Sequence, residues 1–302
     1  MKYAYFPGCS LESTGKEFGE STTLVAEALG IELVEIPDWN CCGATSGHAL
    51  DHKLSVALPA RSLGIAESMG LDVVAPCAAC YNRMKSAEAE MKSNSALRDE
   101  INADLARPYT GKVTVRSALE VFTSPEVMER LAQKVTKKLY GLRPACYYGC
   151  LLLRPPKVLG FDDPEDPKSL DEAMRTVGAE PVEWYFKNEC CGASFGISKS
   201  DIVVKLAGDI ISNAKRHGAN CIVTACPLCM TNLEMRQAAA GKQRGEDLTM
   251  PVFFFTELLG LAMEVPGIKK LFASHLIDVD PALDAITEPP AEPEPVGTAA
   301  DG

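Results

Sequence analysis

Basic charge is sparse in this sequence and nowhere concentrated. Thirty Lys and Arg face 41 Asp and Glu, a formal net charge of -11 with no long basic run, which argues against nucleic acid as a partner. Long apolar runs are missing too. The longest, around Val252 to Met263, is too short to span a bilayer and contains Glu257, so no membrane span is expected. The first residues, Met1 to Gly8, lack the apolar core of a secretion signal. No phosphate loop, dinucleotide fingerprint or His-Cys protease pattern occurs. Without an export signal the 12 cysteines are expected to be mostly reduced. Metal or redox chemistry therefore outranks a disulfide framework, and a cytoplasmic location is expected.

What the chain does have is one cysteine pattern written twice. Cys41-Cys42-Gly43 and Cys190-Cys191-Gly192 are each followed, after 34 intervening residues, by a Cys-x-x-Cys: Cys77 and Cys80, then Cys226 and Cys229. A Gly-Cys ends an aromatic run before each pair, Gly8-Cys9 at 31 residues' distance and Gly149-Cys150 at 39. This repetition points to two metal sites, one per repeat. Alternating strand and helix patterns surround them, predicting an α/β fold of two pseudo-symmetric repeats. Each is a small parallel sheet covered by helices, with the metal sites near the interface. The first repeat spans 1–140 and the second 141–278. Residues 154–171, with four prolines and several acids, read as a surface insertion. The acidic, Pro-rich stretch 279–302 reads as a disordered tail.

Locally, helices are expected from Lys16 to Leu29, from Leu50 with a break at Pro59, and from Cys80 to about Leu105. Val182 to Phe186 is the expected counterpart of the strand Ile31 to Ile36. Aligned without gaps, Cys146 falls opposite Tyr5 and Cys221 opposite Asp72. These two thiols read as buried strand residues. The other ten form two sets: Cys9, Cys41, Cys42, Cys77, Cys80, and Cys150, Cys190, Cys191, Cys226, Cys229.

Zinc takes four ligands in a closed tetrahedron, so five cysteines per set favour an iron-sulfur core over zinc. A zinc- or cluster-stabilised relay or assembly protein remains the alternative. Helix N-termini at the Cys-x-x-Cys motifs suit thiolate and sulfide. Gly8, Gly43, Gly149 and Gly192 are expected to let backbone approach a bulky cofactor. His48 and His52 are candidate proton donors near the first site, whereas His217 and His275 read as surface residues.

At its two Cys-Cys-Gly motifs the chain resembles the CCG-domain family, and within it the B subunits of heterodisulfide reductases, over about residues 1 to 278. The resemblance implies that each set of five cysteines holds a noncubane [4Fe-4S] cluster. It further implies that a disulfide, of the coenzyme M–coenzyme B type or a related one, binds between the clusters and takes one electron from each. His48, Arg83, Lys85, Arg154 and Lys199 are candidates for meeting such an anionic substrate, a solvated surface charge being the alternative for any one of the basic residues. No Cys-x-x-Cys-x-x-Cys-x-x-x-Cys run is present. The resemblance accordingly implies two partners, a ferredoxin-like C subunit and a flavin-bearing A subunit.

Overall fold

Among the described residues seven short strands run parallel in two separate sheets, and parallel pairing demands a crossover between neighbours that covers a sheet face. The computed structural model describes residues 1–44 and 46–288. The first half aligns β1 (Lys2–Tyr5), β2 (Glu32–Glu35), β3 (Val73–Ala75) and β4 (Val115–Ser117) in the order β2-β1-β3-β4. The second aligns β5 (Pro144–Tyr147), β6 (Cys221–Thr224) and β7 (Val252–Phe254) in sequence order. Registers match between the halves: Ala4 faces Val73 and Val73 faces Val115, while Ala145 faces Ile222 and Ile222 faces Val252. The expected fold class holds: an α/β protein of two helix-covered parallel sheets.

The second half lacks the expected edge strand. Val182 N does donate to Pro144 O at 3.0 Å, so the segment runs beside β5. Pro181 brings no donor there, however, and the Trp184 indole, at 3.1 Å, takes the Cys146 carbonyl. Two helix expectations also change. Asn94 divides the long polar helix into Ala78–Ser93 and Ser95–Asp104, because its side chain accepts from Leu97 N at 3.1 Å and caps the second piece. In the other, Pro59 does not break the helix, which Asp51 caps and which runs unbroken over His52–Met69.

The halves are locked together by side chains. The helix Lys16–Ala28 of the first lies on the helix Phe255–Ala262 of the second. Phe18 stacks on Phe254 at 4.3 Å between ring centroids, and the Ser21 and Thr256 hydroxyls are hydrogen-bonded at 2.7 Å.

Residues 154–171 are more than a surface insertion. Leu159, Leu170 and Asp171 are buried, and Asn82 of the first half donates to Leu151 O at 3.0 Å and Arg154 O at 2.8 Å. The tail boundary moves as well. Residues 279–288 pack on the body: Val279 and Ala282 are buried, and Thr287 N donates to Tyr140 O at 2.8 Å. The rest of the expected disordered tail, 289–302, lies outside the described residues.

His275 is not a surface residue. Its ring is buried between Glu234 (Nδ1 to Oε1, 3.0 Å) and Glu257 (Nε2 to Oε1, 3.2 Å). Burial alone would depress its pKa, but the hydrogen bonds to both carboxylates outweigh it and push the value up to about 10. A raised folded pKa means that this clamp stabilises fully below the ordinary imidazole value of 6.5 and is lost as pH climbs toward about 10. The melting temperature should fall over that range in the native chain. His275→Gln should remove that part of the pH dependence and destabilise by about 3 kcal/mol at neutral pH. An unchanged pH profile in the variant would show that the clamp carries no stability.

Candidate metal centres

Each Cys-x-x-Cys is delivered by a strand that hands over to a helix. Cys77 follows β3 in extended conformation and caps the helix Ala78–Ser93; Cys226 follows β6 and caps Pro227–Met235. Cys80 and Cys229 therefore lie in first helical turns, near unpaired amides and the positive end of the helix dipole. The vicinal pairs sit in loops whose glycines, Gly43 and Gly192, have φ of 72° and 80°.

The structure brings each set together within its own repeat. Cys42 Sγ lies 3.4 Å from Cys80 Sγ, and Cys41 Sγ 3.9 Å from Cys9 Sγ. In the second repeat Cys191 Sγ lies 3.5 Å from Cys229 Sγ, and the Cys150 and Cys190 thiols are near enough to shift each other's pKa. Cys77 and Cys226 lie near enough across the repeat boundary for each thiol to shift the other's pKa, so the two sets are neighbours. Cys42, Cys77 and Cys80 are buried, as are Cys191, Cys226 and Cys229, whereas Cys9, Cys41 and Cys190 are exposed and Cys150 is half-buried. Each set thus has a closed inner side and an open outer side.

Thiolate character is concentrated at particular atoms. A hydrogen bond from Cys80, outweighing burial and joined by the amide of Ala44 and the charge of Arg83, lowers Cys42 to about 7. A hydrogen bond from Cys150 and the Gly192 amide, 3.3 Å away, lowers Cys190 to about 6. Cys77 is held low by the thiols of Cys226 and Cys80. Cys146 and Cys221, by contrast, are fully buried in β5 and β6 and raised by burial.

The glycines divide into two kinds. A Cβ on Gly8 would come within 2.7 Å of Cys80 Sγ, and one on Gly149 within 3.2 Å of Cys229 Sγ. A Cβ on Gly43 or Gly192 would instead meet Leu58 (2.7 Å) or Leu206 (3.1 Å), so these two permit helix packing against the loop. Among the described residues, no three His, Cys, Asp or Glu side chains converge on a single ion. Five thiols in two tiers, an all-sulfur donor set with backbone pressed against it, suit the broader footprint of an iron-sulfur group.

The remaining candidates scatter. Arg83 is half-buried, donates to Asn82 Oδ1 at 2.6 Å and depresses the pKa of exposed His48. His52 pairs with Glu90 at 2.9 Å, Lys85 with Glu88 at 3.0 Å and Arg154 with Glu165 at 3.0 Å, while Lys199 is exposed. Sequence reasoning missed Asn232, which donates to Cys191 O at 3.2 Å and approaches its Sγ at 3.6 Å. It also missed the buried Lys187–Asp171 pair (2.9 Å), with the Tyr148 hydroxyl on the same carboxylate at 2.7 Å. The signal for Asn232 was available in its place three residues after Cys229.

Comparison with known proteins finds relatives over most of the chain. The CCG family profile, a cysteine-rich domain, matches residues 3–85 and 145–234. The 8-methylmenaquinol:fumarate reductase membrane anchor subunit of Wolinella succinogenes is 35% identical over 91% of this chain and 96% of its own. The B subunit of the ferredoxin/F(420)H(2)-dependent CoB-CoM heterodisulfide reductase of Methanosarcina acetivorans is 28% identical over 87% of this chain and 89% of its own. A hypothetical protein from Helicobacter pylori, known from a crystal structure, shares the fold with a TM-score of 0.67 at 13% identity. This chain spans 52% of that one.

Cys146→Ser and Cys221→Ser should retain full iron content, since both thiols lie in strands and stand outside the two sets. Loss of one site's iron in either variant, measured by metal analysis of anaerobically purified protein, would overturn the sorting of the thiols.

Proposed function

The chain belongs to the CCG cysteine-rich domain family, and from that membership we propose that it is a redox subunit whose two adjacent noncubane [4Fe-4S] clusters exchange two electrons with one substrate, a disulfide. The relatives support an iron-sulfur oxidoreductase subunit that works within a multi-subunit complex. The observation that carries the two-electron reading is the closeness of the two sets: Asn82, two residues beyond Cys80, donates at 3.0 Å to Leu151 O, next to Cys150, and the Cys77 and Cys226 thiols shift each other's pKa. Cys9, Cys41, Cys42, Cys77 and Cys80 would hold one cluster and Cys150, Cys190, Cys191, Cys226 and Cys229 the other. Such clusters, when bound, store and release single electrons.

The protein's own residues would shape the rest. Breaking one S–S bond takes two electrons and two protons and yields two thiols. The exposed outer thiols leave each site open to a substrate, Arg83 and Lys199 offer charge to an anionic one, and His48 is a proton donor beside the first site. Electrons would arrive from a ferredoxin-like C subunit and a flavin-bearing A subunit. Exposed Leu50 and Ile197, each a few residues beyond a cysteine pair, suit contact with such a partner.

A second reading is favoured by the higher identity, 35%, to the menaquinol-linked relative. In this reading the two sites of the present chain would take two electrons from a quinol and pass them to a partner reductase. Among the described residues no helix is long and apolar enough to cross a membrane.

Anaerobic protein should contain about eight irons with matching acid-labile sulfide; one or two zincs with little iron would sink both readings. Disulfide-dependent oxidation of a reduced viologen dye should then proceed, and either Cys42→Ala or Cys191→Ala alone should abolish most of it. The double variant should be little worse, because the sites act as a unit. Reduction of the clusters by a menaquinol analogue, with no turnover of any disulfide, would transfer the assignment to the quinol.

A further inference from the structure

The repeats keep their thiols in equivalent places but not the charges around them. Matching the cysteine pairs and the Cys-x-x-Cys motifs without gaps sets Asn40 opposite Glu189 and Arg83 opposite Asn232. Arg83 and Asn232 each lie three residues beyond the last motif cysteine, on the same helical face as that thiol. At this position the second site has a neutral amide, which donates to Cys191 O at 3.2 Å. The first site has a guanidinium, half-buried and directed by Asn82. Just before the vicinal pair the pattern continues. Asn40 is neutral and donates to Cys41 O and Leu58 O, both at 2.9 Å, whereas Glu189 places a carboxylate next to Cys190. Both differences act in one direction.

Of the other nearby charges, exposed Glu12, three residues beyond Cys9 and opposite Leu153, works against this difference, and the rest are paired, screened or single. At the first site Arg61 reaches Asn40 Oδ1 at 3.3 Å but is ion-paired with Asp38. At the second site Lys187 is neutralised by buried Asp171 at 2.9 Å. Arg236 donates to Gly196 O at 2.9 Å, which brings one cation to the loop beyond Cys191 and offsets part of the Glu189 charge. Lys199 is exposed and screened by solvent.

We propose that the two sites are redox-inequivalent, with Arg83 and Asn40 holding the first at a higher potential than Glu189 and Asn232 allow at the second. This rests on the reading that both sites hold iron-sulfur clusters. Accepting an electron makes a cluster more negative, so a fixed cation beside it favours the reduced form and a fixed carboxylate opposes it. The amide of Asn232 contributes in the same sense as Arg83, but as a dipole rather than a full charge. An electron shared by the two sites settles on the first, and the second is the stronger reductant. Arg83 and Glu189 act here as positioning residues of charge, with no contact to a substrate required.

The test is an EPR-monitored potentiometric titration of the anaerobic, cluster-loaded chain without substrate. Cys42→Ala and Cys191→Ala assign each signal to its site. The first site should titrate at the higher potential. Arg83→Gln should lower its midpoint and leave the second unmoved, with Arg83→Lys restoring most of the shift. Glu189→Gln should raise the second midpoint alone. Two sites with normal iron that titrate together, or a first-site midpoint indifferent to Arg83→Gln, overturn the inference and leave the two-cluster reading standing. A chain that binds iron at neither site overturns both.

Discussion

Two sets of thiols held close to the seam between the repeats are the constraint from which much of the architecture follows. Cys77 and Cys226 cap helices whose N-termini converge on one region. Two positive dipole ends approaching each other are unfavourable unless negative charge lies between them. Cys77 is held low by the Cys226 and Cys80 thiols while Cys226 and Cys80 are pushed up, so of these neighbouring thiols Cys77 is the one that carries charge most readily. Backbone must then pass close to that sulfur, which the left-handed turns at Gly8 (φ 69°) and Gly149 (φ 68°) permit. A side chain at either position would be strained and would crowd Cys80 or Cys229.

Neither repeat builds its site unaided. Asn82, on the Cys77-capped helix, holds the loop that follows Cys150 in the other repeat. In return, Gly15 of the first repeat lies so close to Pro227 that a Cβ would stand 2.8 Å from its ring. The extra residues of the second repeat serve the same end. Asp171, at the close of that insertion, draws the Lys187 ammonium and the Tyr148 hydroxyl into the interior. The Lys187 carbonyl accepts from Tyr148 N at 2.8 Å and from Gly149 N at 3.1 Å. An ion pair that would cost desolvation energy by itself thus fixes the turn entering Cys150, and each of its polar atoms finds a partner.

What the sequence revealed was whatever recurs at short range. Strand-helix alternation and the burial of Cys146 and Cys221 followed from spacing and from comparing one half with the other. What escaped depends on partners remote in sequence. His275 looked like a surface residue because its carboxylates lie 41 and 18 residues away, and no local pattern marks them as a pair. Residues 279–288 looked like a tail because Val279 and Ala282 are too few to give a period. The missing edge strand at Val182 to Phe186 turned on one indole taking a carbonyl that a backbone amide would otherwise claim.

Divergence between the halves is informative because their common geometry acts as an internal control. Ten thiols and four left-handed glycines occupy matching places, yet Asn40 has become Glu189, Arg83 has become Asn232 and Lys85 has become Glu234 across the repeat. The last exchange has a structural reason: Glu234 binds His275 and accepts from Leu276 N at 3.2 Å, closing the C-terminal segment over the second half. Lys85 answers a different need, pairing with Glu88, which also accepts from Val115 N at 2.8 Å. Arg83 has no such duty in holding an element together. Its guanidinium donates to the neighbouring Asn82 side chain and bears on Cys42 by charge, so its part is electrostatic, toward that sulfur or toward an anion that approaches it.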